Sequence, residues 1–322
     1  MALLWFAEQH VDFAILEVGM GGRLDATNVV TPLLSIITNV SMDHEQYLGD
    51  TLAQVATEKA GIIKKKIPVV SGVADDDSGQ VIKHFCNNQL APLFLFDRDV
   101  MGAYKDRKES RWQYKGIDQM MLDALPLAMK GSYQVSNACL ALAAVQLLHR
   151  QGYEITEDHI RAGLAQTRWP GRLENFRLAI QADLTDTPAD SVQVLLDGAH
   201  NPAGVSALKH ALEDDFSYKR LLLVWGAMAD KDLQTTLQVI APLAETIIFT
   251  RPESERSATA QQLRDILPAI MQQKAVLTSS VQEAIDKARD MATPDDLICI
   301  AGSLYLVGAA RQLLVGALTA DG

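Results

Sequence analysis

Three observations predict an α/β fold with parallel sheets. Short apolar runs bounded by Gly, Pro, Asn or Asp alternate along the chain with stretches of helical periodicity, the pattern of βαβ units whose helices cover both sheet faces. The length of 322 residues fits two domains at about 150 residues each. The balance of 48% hydrophobic and 21% charged residues is that of a chain with a buried core, which excludes long disorder, collagen and coiled coil.

Taken in order, residues 2–9 read as a helix, followed almost at once by Phe13-Ala14-Ile15-Leu16, read as a buried strand over 13–18. Further strands are expected at 33–39, 67–71, 92–96, 192–196, 220–225, 246–250, 275–278 and 297–301, each a short apolar run between turn residues. Helices are expected at 51–60, 78–90, 133–151, 157–165, 203–214, 231–241, 259–270, 280–291 and 304–316. Thr51 and Gln54 stand at capping-box spacing, and Gly61 can end the helix they open. Asn201 and Pro202 read as an N-cap and a first-turn proline. The rhythm breaks over 100–130, where Arg111-Trp112-Gln113-Tyr114 and residues 120–127 look like short antiparallel strands. Pro170 and Gly171 punctuate a helix end before a strand-rich run, so the boundary falls at about residue 168, giving domains 1–168 and 169–322. The polar stretch 183–191 reads as a hairpin tip or loop, and no internal repeat is present.

Composition narrows the function classes. With 29 Lys and Arg against 40 Asp and Glu, the net charge is −11, which argues against a broad nucleic-acid or anionic-membrane surface. A small anionic ligand stays open, because a local site can oppose the global sign. The three cysteines, Cys86, Cys139 and Cys299, form no CxxC, so neither a zinc knuckle nor a disulfide framework is supported and a reducing cytoplasm fits best. Apolar runs such as 221–229 fall far short of the roughly 20 residues that span a bilayer. No cationic segment precedes the first apolar stretch, so it does not read as a signal peptide.

Four motifs carry candidate chemistry. In Glu17-Val18-Gly19-Met20-Gly21-Gly22-Arg23-Leu24-Asp25-Ala26-Thr27-Asn28, an apolar run delivers Glu17 to its C-terminal end and a glycine-rich loop follows. Ligands bind at that end of open α/β sheets, and a carboxylate there suits a hard cation such as Mg²⁺. The glycines alone would serve a turn equally well. A dinucleotide GxGxxG fails because Leu24 stands at its third glycine, which disfavours a nicotinamide oxidoreductase. Thr38-Asn39-Val40-Ser41-Met42-Asp43-His44-Glu45 follows another apolar run; His44 is a metal or substrate ligand candidate, although a lone histidine is more often structural. Lys59, in Glu58-Lys59-Ala60-Gly61-Ile62, taken alone complements a helix dipole. Asp197-Gly198-Ala199-His200-Asn201-Pro202 leaves Asp197 and His200 at a strand tip without a structural duty, and Asp in such a place commonly accepts bonds from ribose hydroxyls.

Together with Pro170-Gly171-Arg172, Trp225-Gly226-Ala227-Met228-Ala229-Asp230-Lys231-Asp232 and Ala301-Gly302-Ser303-Leu304-Tyr305-Leu306-Val307-Gly308, these motifs resemble, in order along the whole chain, the bacterial folylpolyglutamate synthase and dihydrofolate synthase family of Mur-type ligases. The resemblance implies an α/β ATPase-type (Mur ligase central) domain, incomplete at its N-terminus, plus a C-terminal Rossmann-like domain. It implies an ATP-dependent amide ligase that adds L-glutamate to dihydropteroate or to folate polyglutamates through an acyl phosphate. By the same resemblance, Glu17 binds one Mg²⁺ and His44 a second, and Lys59 is carbamylated. Leu24, Asp25 and Ala26 line the pterin site, Asn137 contacts adenine, Arg172 the ATP phosphates and Asp197 the ribose. His200 helps place glutamate or phosphate. The family implies a cytoplasmic monomer with no nucleic-acid or membrane partner.

One departure is marked. The family carries a phosphate-binding GxxGKGS loop before the first motif, whereas these residues contain no Gly-Lys dipeptide and no Lys followed by Ser or Thr. The expectation is an N-terminally truncated member with little ligase activity by itself. The competing reading is a non-catalytic nucleotide- or partner-binding remnant. A cell-wall Mur ligase is disfavoured by the Leu-Asp-Ala-Thr-Asn loop and the Asp-Gly-Ala-His-Asn-Pro motif.

Overall fold

The computed structural model describes residues 1–42, 48–74, 76–106, 110–180 and 191–320. The chain divides into two compact units, one of Met1–Ala103, Gln113–Leu125 and Ser136–Ile160, the other of Tyr104–Trp112, Pro126–Val135 and Arg161–Gly322.

In the first unit, helix α1 (Ala2–Glu8) is followed by a 3-10 turn at Ala26–Val29 and by a parallel sheet of β1 (Ser35–Ile37), β2 (Val69–Ser71) and β3 (Leu93–Leu95), in the order β1-β2-β3. Helices α2 (Leu52–Ala60) and α3 (Asp77–Gln89) alternate with these strands. Ile37, Ala60, Ile63, Val69, Ile82 and Cys86 close a core between sheet and helices. The capping box expected for α2 is formed: Thr51 accepts from the Gln54 N–H and the Gln54 side chain answers at the cap.

The strand expected at 13–18 is not formed. Phe13 is 47% and Ile15 97% exposed. A strand needs a ladder for its N–H and C=O groups, and among the described residues β1 pairs only with β2. The apolar run has the composition of a buried strand but no strand paired beside it among the described residues; Phe13 meets the Tyr153 ring edge-on, with ring centroids 4.8 Å apart.

The excursion expected over 100–130 forms a separate three-stranded sheet of β4 (Met101–Asp106), β5 (Arg111–Lys115) and β6 (Met121–Pro126). Helices α4 (Tyr133–Arg150) and α5 (Glu157–Gln166) follow.

The second unit is built on six strands: β7 (Glu174–Ala179), β8 (Ser191–Asp197), β9 (Leu221–Trp225), β10 (Thr246–Phe249), β11 (Ala275–Leu277) and β12 (Leu297–Ala301), in the order β11-β10-β9-β12-β8-β7. All neighbours are parallel except β7, which lies antiparallel on β8. The helices are α6 (Pro202–Asp214), α7 (Leu233–Ile240), α8 (Ala260–Ile266), α9 (Ala269–Gln272), α10 (Val281–Met291) and α11 (Leu304–Ala320). Successive side chains of a strand face opposite ways. Leu221, Leu223 and Trp225 therefore join one core with Val205, Leu208 and Leu237, while Leu222 and Val224 join another with Ala284, Ile285 and Leu306. A strand buried on both faces must be apolar throughout, which is why β9 and β12 read so clearly. The loop expected at 183–191 lies almost wholly outside the described residues. Among the described residues no helix is long and apolar enough to cross a membrane.

Candidate functional site

In the first unit the glycine-rich loop is fastened at both ends. Asp25 caps the 3-10 turn: one carboxylate oxygen accepts from the Thr27 N–H and hydroxyl at 2.9 and 2.6 Å, the other from the Gly19 and Met20 N–H groups at 3.0 and 3.2 Å. The Thr27 hydroxyl first, then these backbone donors, hold its carboxyl down to about 2. The Arg23 N–H donates to the Glu58 carbonyl at 2.8 Å, and the Arg23 guanidinium pairs with the Glu58 carboxylate at 2.9 Å. The Asn28 amide donates to the Arg23 and Gly61 carbonyls, and Lys64 Nζ donates to the Asn28 carbonyl. The loop is thus tied to the last turn of α2, the turn that carries Lys59. Lys59 is half-buried, Leu24 and Ala26 are exposed, and Asn137 is exposed on α4. Glu17 is exposed at the end of the unpaired apolar stretch. His44 lies outside the described residues.

Among the described residues no three His, Cys, Asp or Glu side chains gather into a metal cage. A lone exposed carboxylate at Glu17 still fits Mg²⁺, which keeps most of its waters and takes one or two protein carboxylates beside phosphate oxygens.

In the second unit the structure brings Arg172, Asp197 and His200 together at the C-terminal edge of the sheet. Asp197, the last residue of β8, is 5% exposed. Its two oxygens accept from the Ala199 N–H at 2.9 Å and the Leu173 N–H at 3.0 Å. Burial raises its carboxyl above the ordinary value, against the pull of those donors and of the Arg172 charge. His200 Nδ1 lies 2.8 Å from the Gly198 carbonyl. A carbonyl only accepts, so the neutral ring carries its proton on Nδ1 and its lone pair on Nε2. Asn201 accepts from the Gly204 N–H at 2.8 Å with Pro202 behind it, so α6 opens at this edge as expected. A helix N-terminus beside a strand tip is a place for anions.

Sequence reasoning missed Tyr133, half-buried at the start of α4, whose hydroxyl is pushed up by burial and by the Asp197 charge. It also missed Glu174, which joins the 171–173 turn to Arg311 of α11. No local signal marks either. A cavity of about 450 Å³ lined by Arg177, Gln193, Tyr218, Lys219, Asp295 and Asp296 lies at the opposite, N-terminal edge of the sheet and takes in none of the expected site residues.

Residues 1–145 match the Mur ligase middle domain and residues 183–304 the Mur ligase, glutamate ligase domain. The chain is 31% identical over 322 residues to the dihydrofolate synthase/folylpolyglutamate synthase of Bacillus subtilis, covering 97% of this chain and 70% of that protein. It is 34% identical over 315 residues to the folylpolyglutamate synthase of Lacticaseibacillus casei, covering 97% and 69%. Among solved structures it is similar to Mycobacterium tuberculosis folylpolyglutamate synthase complexed with ADP and AMPPCP, with a TM-score of 0.84 at 30% identity over 97% of this chain and 71% of that one. It is also similar to Escherichia coli FolC in complex with DHPP and ADP, with a TM-score of 0.83 at 28% identity over 98% and 69%. Two matched ligase domains in sequence, relatives aligned over nearly the whole chain and the same folds in three dimensions agree: the chain belongs to the folylpolyglutamate and dihydrofolate synthase family of Mur-type ATP-dependent ligases.

Proposed function

We propose that the chain serves an amide ligase that joins L-glutamate to dihydropteroate or to folate polyglutamates, with residues 1–168 as its central domain and 169–322 as its glutamate-ligase domain. The observation that carries this reading is the set of Arg172, Asp197 and His200 at the carboxyl edge of a parallel sheet, in a chain whose solved relatives hold ADP. The chemistry proceeds in two displacements. A carboxylate oxygen of the folate substrate takes the γ-phosphoryl group of ATP and ADP leaves. The amine of glutamate then attacks the acyl carbon, phosphate leaves, and the amine gives up a proton as the amide forms.

In this reading Arg172 neutralises charge on the transferring phosphoryl group, the main contribution expected of a protein in such a step. Asp197 orients the ribose, Asn137 the adenine, and His200 the glutamate or a phosphate. Leu24, Asp25 and Ala26 line the pterin site, where Asp25 acts by holding the loop. Glu17 and His44 are the residues that would hold Mg²⁺. When bound, the ions supply neutralisation of phosphate charge. A CO₂ adduct on Lys59 turns a cationic amine into an anionic oxygen donor beside Glu58. The reading includes a monomer in a reducing cytoplasm, which suits three buried free cysteines.

A polypeptide of these 322 residues alone is proposed to turn over little ATP, because it contains no Gly-Lys-Ser/Thr phosphate loop. The second reading is a non-catalytic nucleotide- or partner-binding protein. Calorimetry with Mg·ADP, paired with ADP release in the presence of dihydropteroate and glutamate, separates them. Binding lost in Arg172→Met without steady turnover is the expected result. Normal turnover overturns the proposed inactivity, and no nucleotide binding favours the partner-binding reading.

A further inference from the structure

The turn between α5 and β7 is held in a conformation that its residues do not choose by themselves. Gly171 has φ +70°, and a side chain there would meet Val307 of α11 at 2.7 Å. Leu173 has φ +47°, in the left-handed region that a branched side chain rarely adopts, and is 4% exposed in the core. Such a backbone persists only where its surroundings over-determine it, and four contacts do so here. The Leu173 N–H donates to Asp197, and the Gly198 N–H donates to the Gly171 carbonyl at 2.8 Å. The Gly171 N–H donates to Glu174 Oε2 at 2.8 Å. Arg311 Nε, in turn, donates to both Glu174 oxygens at 3.0 Å.

Arg172 sits between the two left-handed residues, so its direction is set by theirs. One of its terminal nitrogens lies 3.1 Å from where a Gly198 side chain would begin, against the backbone of the strand tip. Arginine has many rotamers, and its placement across a glycine is useful only if the backbone beneath it stays put. The Glu174 side chain is 20% exposed and that of Arg311 39%, so the pair is sheltered enough to hold geometry as well as charge.

We propose that Glu174 and Arg311 are positioning residues for Arg172: the ion pair anchors the turn to α11 and fixes where the Arg172 guanidinium stands. What Arg172 does from there rests on the phosphate role given above, but its placement does not.

The test is ligand-free nuclear magnetic resonance of the full chain, following the Nε–Hε signal of Arg172 and amide exchange at Leu173. The exposed Arg251 serves as the mobile reference. The wild-type Arg172 signal is expected to be ordered. In Glu174→Gln and Arg311→Met it should approach the mobility of Arg251, with Leu173 exchange faster by roughly tenfold, while Arg311→Lys recovers part of the order. Protection in β9 and β10 should stay at wild-type values, which a merely structural role would not allow. An Arg172 signal that is already mobile in the wild type, or unchanged in both variants, overturns the proposal. So does a loss of protection spread evenly over the sheet. A chain that binds no nucleotide leaves this readout intact and sinks only the phosphate role.

Discussion

Gly61 and Arg23 meet without room for a side chain between them: a Cβ on Gly61 would lie 2.4 Å from the Arg23 Cα and Cβ. Gly61 has an ordinary helical φ of −60°, so its backbone is not strained and only the close approach demands glycine. Gly61→Ala should push the 19–28 loop off α2 and lower stability by about 1–3 kcal/mol. Urea denaturation measures it, and an unchanged midpoint would show that the loop yields freely.

Acid should loosen the second unit through Asp296. Its side chain is fully buried and accepts from Arg220 at 2.6 Å and from the Thr293 N–H and hydroxyl. Burial pushes this carboxyl up, but the Arg220 and Thr293 hydrogen bonds outweigh it and hold it at about 2. A carboxylate whose folded value lies below its unfolded value of about 3.9 contributes stability above that value. The contribution fades as the pH falls from about 4 through about 2, and amounts to about 1–2 kcal/mol once the partly exposed Arg220 is allowed for. Denaturation midpoints across this range should drop for the wild type and drop less for Arg220→Met.

The proposed carbamate on Lys59 predicts an intact mass heavier by one CO₂ in bicarbonate buffer near neutral pH, absent from Lys59→Met. An unmodified wild-type mass with nucleotide present counts against it.

Ile15 should be dispensable for folding. It is 97% exposed, so Ile15→Asp is expected to move stability by no more than about 0.5 kcal/mol. Ile37, 3% exposed in the core of the same unit, should not tolerate the same change. Thermal melts of the two variants decide this. A large loss from Ile15→Asp would mean that the stretch is packed after all.

The contrast between Ile15 and Ile37 also marks how far the sequence can be read. Both sit in apolar runs of strand composition, yet composition reports only a willingness to be buried, and whether a neighbouring strand exists is not a local property. Leu221–Trp225 was legible because burial on both faces forces every position to be apolar. Glu174–Ala179 was harder, since it pairs on one side only and its outward positions carry Asn and Arg. At the site, Asp197 and Asn201 were legible because a strand tip and a helix cap are set by adjacent residues. The Glu174–Arg311 pair spans 137 positions of sequence, and no periodicity or spacing announces a contact of that range.

The indole of Trp225 gives the second unit a built-in optical probe. It is 1% exposed at the carboxyl tip of β9, its N–H has no hydrogen-bond partner among the described residues, and its ring lies 2.9 Å from where a side chain on Gly302 would begin. An indole in so apolar a setting emits at short wavelength, whereas Trp5 and Trp169, at 58% and 57% exposure, emit as in water. Trp112, 0% exposed, shares the blue edge, so in a Trp112→Phe chain that edge reports events at the sheet tip, and the red-shifted remainder supplies an internal standard within the same spectrum.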